Sequence, residues 1–187
     1  MVKTIAGKLR IKKGDGLLTL HPPDDFEVTL GDLPEDVLVG TNLKAYNQVH
    51  WFVLNQAQID KELSKIMKLL KEDIIVWVYY PKASSKIKTD LTRDKGWDCL
   101  IKEEDKLTWI SLISFDATWS VFGFRARTGA DNKKLANKQP REIFNWINPT
   151  TKEVRLPDEL AAALKNNKGA AAFFKGLSFT NKKEYIE

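Results

Sequence analysis

Cysteine is all but missing from this 187-residue chain, where Cys99 is the only one. A lone thiol excludes a disulfide framework and a cysteine-based zinc site, and it fits a reducing compartment, so a cytoplasmic protein is expected. Histidine is scarce as well: His21 and His50 are the only two, and no Cys or carboxylate spacing around them makes a metal set. Long apolar runs are absent. The longest, Ile74 to Tyr80, is far too short to span a bilayer, and the opening stretch MVKTIAGKLRIKKGDG holds no apolar segment of signal-peptide length. Neither secretion nor membrane insertion is expected. No Ser-His-Asp pattern or nucleophile elbow occurs, so no catalytic residue is assigned.

What is present is ordinary globular material, 43% hydrophobic and 29% charged. A chain of this length buries one sizeable core and has room for a small appendage. The formal charge is +5, and the surplus lies in the tail. Lys and Arg outnumber Asp and Glu by 11 to 7 over residues 131 to 187, but only by 19 to 18 before them. Such an excess favours phosphate-bearing partners through counterion release, yet no DNA- or RNA-reading motif accompanies it. Of the six tryptophans, Trp77 and Trp97 follow core periodicity and Trp51 sits in a strand. Only Trp119 and Trp109 remain as contact residues, too few for a stacking platform. A weak basic nucleic-acid binder is therefore kept only as an alternative.

Along the chain, Leu17 to Leu20 reads as a first strand that stops at His21-Pro22-Pro23, through which no strand continues. Asp24 or Asp25 caps a short helix to Leu30, and Val37 to Val39 and Val49 to Leu54 form the next strands. Ile59, Leu63, Ile66, Met67 and Leu70 then mark one face of a helix, whose other face carries Lys61, Glu62, Lys65 and Lys68 as a solvated surface. Ile74 to Tyr80 is continuously apolar and suits a central strand covered on both faces. A helix is expected over Thr92 to Glu104, followed by strands Leu107 to Phe115 and Trp119 to Arg127, joined so tightly by Asp116-Ala117-Thr118 that they pair antiparallel. The fold class is α/β: a three-layer Rossmann-like mixed sheet with an antiparallel edge hairpin and a small C-terminal helical module.

Residues 128 to 150 read as a polar linker followed by a segment, Ile143, Phe144, Trp146 and Ile147, that docks on the main body. Leu156-Pro157-Asp158-Glu159 opens a helix with Pro at its first turn and acids at its positive end. Gly169 separates it from a second helix bearing Phe173, Phe174 and Leu177. Asn181 with Glu184 resembles a capping box that opens a third helix close to the end of the chain, which suggests a truncated module over residues 151 to 187.

Two segments carry resemblances. PKASSKIKTDLTRDKGWDCL, residues 81 to 100, with FDATWSVFGFRAR, residues 115 to 127, resembles a bacterial family of unknown function whose members look like trimmed methyltransferase-type Rossmann domains, a likeness covering residues 8 to 127. LPDELAAALKNNKGAAAFFKGLSFTNKKEYIE, residues 156 to 187, is similar to the C-terminal helical region of the YdeI/OmpD-associated, or bacteriocin-protection, family. The second resemblance implies a link to envelope stress or antimicrobial-peptide resistance, and a protein partner engaged through residues 151 to 187.

A nucleotide-binding Rossmann turn needs glycines after the first strand, so that backbone approaches the cofactor's charge. His21-Pro22-Pro23-Asp24-Asp25 has none, its prolines donate no N–H, and its acids repel a pyrophosphate; Thr41-Asn42 replaces the ribose-binding acid. No cofactor is therefore expected. The loop after the central strand is richer, because Lys82, Ser84, Ser85, Lys86, Lys88 and Thr89 combine cations with hydroxyl donors where α/β folds bind ligands. Asp116, Trp119 and His21 are placed at the mouth of the same crevice. The competing reading makes the loop a solvated turn, Asp116 a turn residue, His50 structural and Cys99 a small core residue. The expected function is a non-catalytic binding or interaction protein of bacterial stress physiology that takes a small anionic ligand at this loop. A degenerate transferase using S-adenosylmethionine (SAM) is the second alternative.

Overall fold

The structure is a computed structural model that describes residues 4–71, 73–136, 142–148 and 150–186. The chain divides into two compact units, residues 1–133 and 134–187. The first runs α1 (Ile5–Lys8), β1 (Gly16–Leu20), α2 (Phe26–Leu30), β2 (Leu38–Gly40), β3 (Gln48–Phe52), α3 (Gln56–Leu69), β4 (Ile75–Pro81), α4 (Asp98–Ile101), a 3-10 turn (Glu104–Lys106), β5 (Leu107–Ser114) and β6 (Trp119–Ala126). Its six-stranded sheet has the order β2-β1-β3-β4-β6-β5. The first four strands pair in parallel, and β6 pairs antiparallel with β4 and β5. This is the mixed α/β sheet with an edge hairpin that the sequence implies.

Alternation along β3 and β4 builds two cores. Val49, Trp51, Val76, Val78 and Tyr80 pack with Ile59 and Ile66 of α3 and Leu100 of α4. Phe52, Trp77 and Tyr79 pack on the other face with Leu9, Phe26 and Leu30. Helices on both faces explain why β4 carries no charged residue. Trp77 lies opposite Gly123 in the register, and a Cβ at Gly123 would meet its ring at 2.8 Å, so only glycine fits at that point of β6. The outer strand β5 is interrupted by a bulge between Trp109 and Leu112, which blunts the exposed edge.

The structure adds one element that the sequence reading does not name and corrects two expectations. The basic N-terminal segment forms α1, capped by Thr4, whose hydroxyl accepts from the Gly7 N–H. The helix expected over Thr92 to Glu104 shrinks to α4. Gly96 has φ +92°, and the Thr92 hydroxyl and carbonyl accept from the Asp94 N–H and the Trp97 indole, so a turn occupies the place of the first helical turns. The expected linker begins instead as α5 (Gly129–Ala136). Asp131 pins it, accepting from the Thr128 N–H at 2.9 Å and from both Arg125 Nη atoms at 2.7 and 2.8 Å. The Arg125 hydrogen bonds, and then those from Thr128, hold its carboxyl well below the usual carboxylate range.

The second unit contains a 3-10 turn (Glu142–Asn145), a short hairpin of β7 (Ile147–Asn148) and β8 (Glu153–Val154), and helices α6 (Asp158–Asn166), α7 (Lys168–Gly176) and α8 (Phe179–Ile186). The hairpin is not anticipated from the sequence. Asn148 Oδ1 builds its turn by accepting from the N–H groups of Thr150 and Thr151. Of the four apolar residues of the expected docking segment, Ile143 and Ile147 are buried, while Phe144 is exposed. Asn167 caps α7 through the Ala170 N–H. The third helix starts two residues before Asn181, and its cap is Ser178, whose hydroxyl accepts from the Asn181 N–H. No helix among the described residues is long and apolar enough to cross a membrane.

Candidate functional site

In an open α/β sheet, ligands bind outside the C-terminal strand ends where the strand order reverses. Here that point lies between β1 and β3, because β1 is flanked by β2 on one side and β3 on the other. A cleft of about 370 Å³ opens there. His21, Pro22 and Pro23, which follow β1, form one wall; Leu54, Gln58 and Glu62 form the other; Phe52 and Trp119 form the floor.

His21 is the distinctive member. Its φ of +55° lies in the left-handed region, where a residue with a Cβ carries strain. The side chain is held in place, because Nε2 contacts Glu62 Oε1 at 2.9 Å. Glu62 is itself anchored by the Trp51 indole N–H at 2.7 Å and Gln58 Nε2 at 3.4 Å. A mostly buried carboxylate thus orients an imidazole that is 56% exposed toward the cleft and solvent. Among the described residues Nδ1 of His21 has no hydrogen-bond partner.

The α3 N-terminus beside this cleft is already filled. Asn55 Oδ1 accepts from the Gln58 N–H and Asp90 Oδ1 from the Gln56 N–H, each at 2.9 Å. A carboxylate of the chain therefore sits where the helix dipole would draw an external anion.

The residues singled out in the sequence separate into two groups. The structure brings His21 and Trp119 together in the cleft. Lys82, in contrast, donates to the Ser114 hydroxyl at 2.8 Å and to the Asp116 carbonyl, so its ammonium ties the loop to the edge hairpin. Asp116 Oδ1 accepts from the N–H groups of Thr118 and Trp119, both at 2.6 Å, and makes the hairpin turn. The hydroxyls of Ser85 and Thr89 accept from the N–H groups of Ile87 and Leu91, as local turns do. Ser84, Lys86 and Lys88 are exposed. Gln58, Glu62 and Trp51 were missed. Glu62 reads as part of a charged helix face, and its one pointer in the sequence is its place in the second turn after a strand end.

His50 is wholly buried, with Nδ1 2.8 Å from the Tyr79 hydroxyl and Nε2 without a partner. Burial lowers its pKa to about 3 and raises that of Tyr79. Cys99 packs against the first core. Burial first, and then Asp60, push its thiol up to about 11, which makes it a poor nucleophile. No group of three or more His, Cys, Asp or Glu among the described residues is arranged to hold a metal ion.

Comparison with known proteins bears on the second unit most directly. Residues 153–187 match the family described as Bacteriocin-protection, YdeI or OmpD-Associated. The match is confined to that C-terminal segment. No curated protein matches the chain. Among solved structures, a Streptococcus agalactiae protein of the NADB-Rossmann superfamily aligns at 10% identity and TM-score 0.38, covering 98% of this chain and 90% of that one. The B. subtilis tRNA methyltransferase TrmK aligns at 9% identity and TM-score 0.37, covering 100% and 92%. Both scores are low, and the fold class rests on the strand order itself.

Proposed function

We propose that the protein is a non-catalytic binding module of the bacterial cytoplasm, whose α/β unit holds a small flat ligand in the β1/β3 cleft. The observation that carries this reading is the His21 imidazole, held by Glu62 at the switch point and facing the cleft. The cleft walls are proline and aromatic faces suited to a planar body, with one imidazole and one carboxylate to orient it. None of the lining residues carries a hydroxyl, thiol or amine nucleophile. Asp24 and Asp25 follow the lining prolines and Glu62 lies within, so the local charge favours a neutral or cationic ligand over an anion. The lone cysteine supports the reducing compartment. The C-terminal match supports a role connected with bacteriocin protection.

The test is a thermal-shift comparison using adenosine, tyramine, SAM and inorganic phosphate at about 5 mM. At least one of the flat probes should raise the melting temperature by several degrees, and Glu62→Gln should abolish that shift. No shift from any flat probe, or a shift unchanged in Glu62→Gln, would overturn the reading. A shift by phosphate alone, lost in Lys86→Ala, would return the site to the loop after β4. Turnover of SAM would favour the transferase.

A further inference from the structure

The second unit has a site of its own that the cleft reading does not use. Val154, Leu156, Ala161, Leu164 and Phe174 line a groove of about 410 Å³, and Lys165, Lys175 and Lys182 line it with them; among the described residues no acidic one does. The unit is poorly filled. Among its described residues, Ile143, Ile147 and Phe174 are the only buried hydrophobic side chains. Val154, Leu156, Ala161 and Leu164 remain half-buried, Val154 in β8, Leu156 in the connection after it, and Ala161 and Leu164 in α6. Beside them, Phe173 is 61% and Tyr185 59% exposed, their rings edge-on at 6.3 Å.

We propose that this groove docks an acidic amphipathic helix from a partner protein. Apolar side chains spaced i, i+3 or i+4 and i+7 would enter the groove between α6 and α7, while carboxylates on the flanks of that helix would meet the three lysines. Charge complementarity selects this occupant, because Lys165, Lys175 and Lys182 line the groove and no carboxylate does among the described residues. The proposal is independent of the α/β cleft.

The experiment is fluorescence anisotropy with the full chain and a labelled peptide of about fourteen residues, Leu at helical spacing and Glu elsewhere. The control peptide carries Lys in place of Glu. The acidic peptide should bind saturably, more weakly at high salt, and the control should not. The triple variant K165E/K175E/K182E, whose helix content is checked by circular dichroism, should weaken binding by about tenfold or more. Ala161→Trp should block the groove without touching the charges. Absence of binding at about 1 mM acidic peptide, equal binding of the control, or binding indifferent to both variants would overturn the proposal. So would capture of phosphatidylglycerol vesicles but not of peptide.

Discussion

The two units solve the same packing problem to very different degrees. In the α/β unit the sheet is covered on both faces, and Trp51, Trp77, Tyr79, Phe26, Phe52 and Phe124 are all essentially inaccessible. In the helical unit three buried side chains carry the whole apolar interior among the described residues, and the rest stays half open. A sheet offers two faces that sequence alternation fills from within the chain. Three short helices present stripes that cannot all find partners inside a unit of that size. The first unit is filled from within and opens a cleft at its switch point, whereas the second leaves its apolar side chains half-covered along a groove. That contrast is why a small ligand is assigned to the one and a protein partner to the other.

The contrast can be broken most severely by cavity creation. Trp77→Ala should cost about 3–5 kcal/mol and unfold the α/β unit at a much lower urea midpoint. Phe174→Ala, in a loosely packed setting that collapses more easily, should cost about 1–2 kcal/mol. Equal losses would show that the helical unit is as well filled as the sheet.

Acid sharpens the comparison next, because the α/β core holds a neutral histidine and the helical unit holds none. His50 takes a proton near 6.5 when unfolded but only near 3 when folded. The unfolded state thus binds more protons below pH 6.5, and stability falls as pH drops, by up to about 1.4 kcal/mol per pH unit. Denaturation followed from pH 7 to 4.5 should show this slope, and the double variant His50→Leu/Tyr79→Phe should flatten it.

Gly123→Ala comes third. Its methyl would press on the Trp77 ring, and a loss of about 1–3 kcal/mol is expected by urea titration. Asp131→Asn should lower the melting temperature at neutral pH by breaking the Arg125 fork. Because the folded carboxyl titrates below its unfolded value, the difference should shrink as the pH falls below about 4. His21→Gly should have the smallest effect on stability. It relieves about 1 kcal/mol of left-handed strain, which offsets the lost contact with Glu62, so the melting temperature stays level or rises while ligand binding disappears.

Much of the sheet was legible because strand signals are local. Ile75 to Pro81 is apolar throughout, and Asp116-Ala117-Thr118 leaves room only for a hairpin. Boundaries failed where one residue's backbone overrides a periodic pattern, as Gly96 does in cutting the helix before α4. The cleft was half legible. His21 and Trp119 stood out as residues at a strand end and a turn, but the partner that fixes His21 lies 41 positions away, on a helix face whose charges look like ordinary solvation. Lys82 was misleading for the same reason: its Ser114 and Asp116 partners are brought to it only by the pairing of β4 with β6.

The most direct test of the account is a ¹H–¹⁵N spectrum of the full chain titrated with adenosine, tyramine and SAM, read at the Trp51 indole N–H. That N–H is hydrogen-bonded to Glu62 in the wall of the cleft, while the Trp51 ring itself is buried, so it reports on the Glu62 side of the site. A ligand seated in the cleft against His21 should move it saturably, and the movement should vanish in His21→Gly. An indole signal unmoved by every probe, or one that moves equally in His21→Gly, would contradict the assignment of this cleft as the binding site.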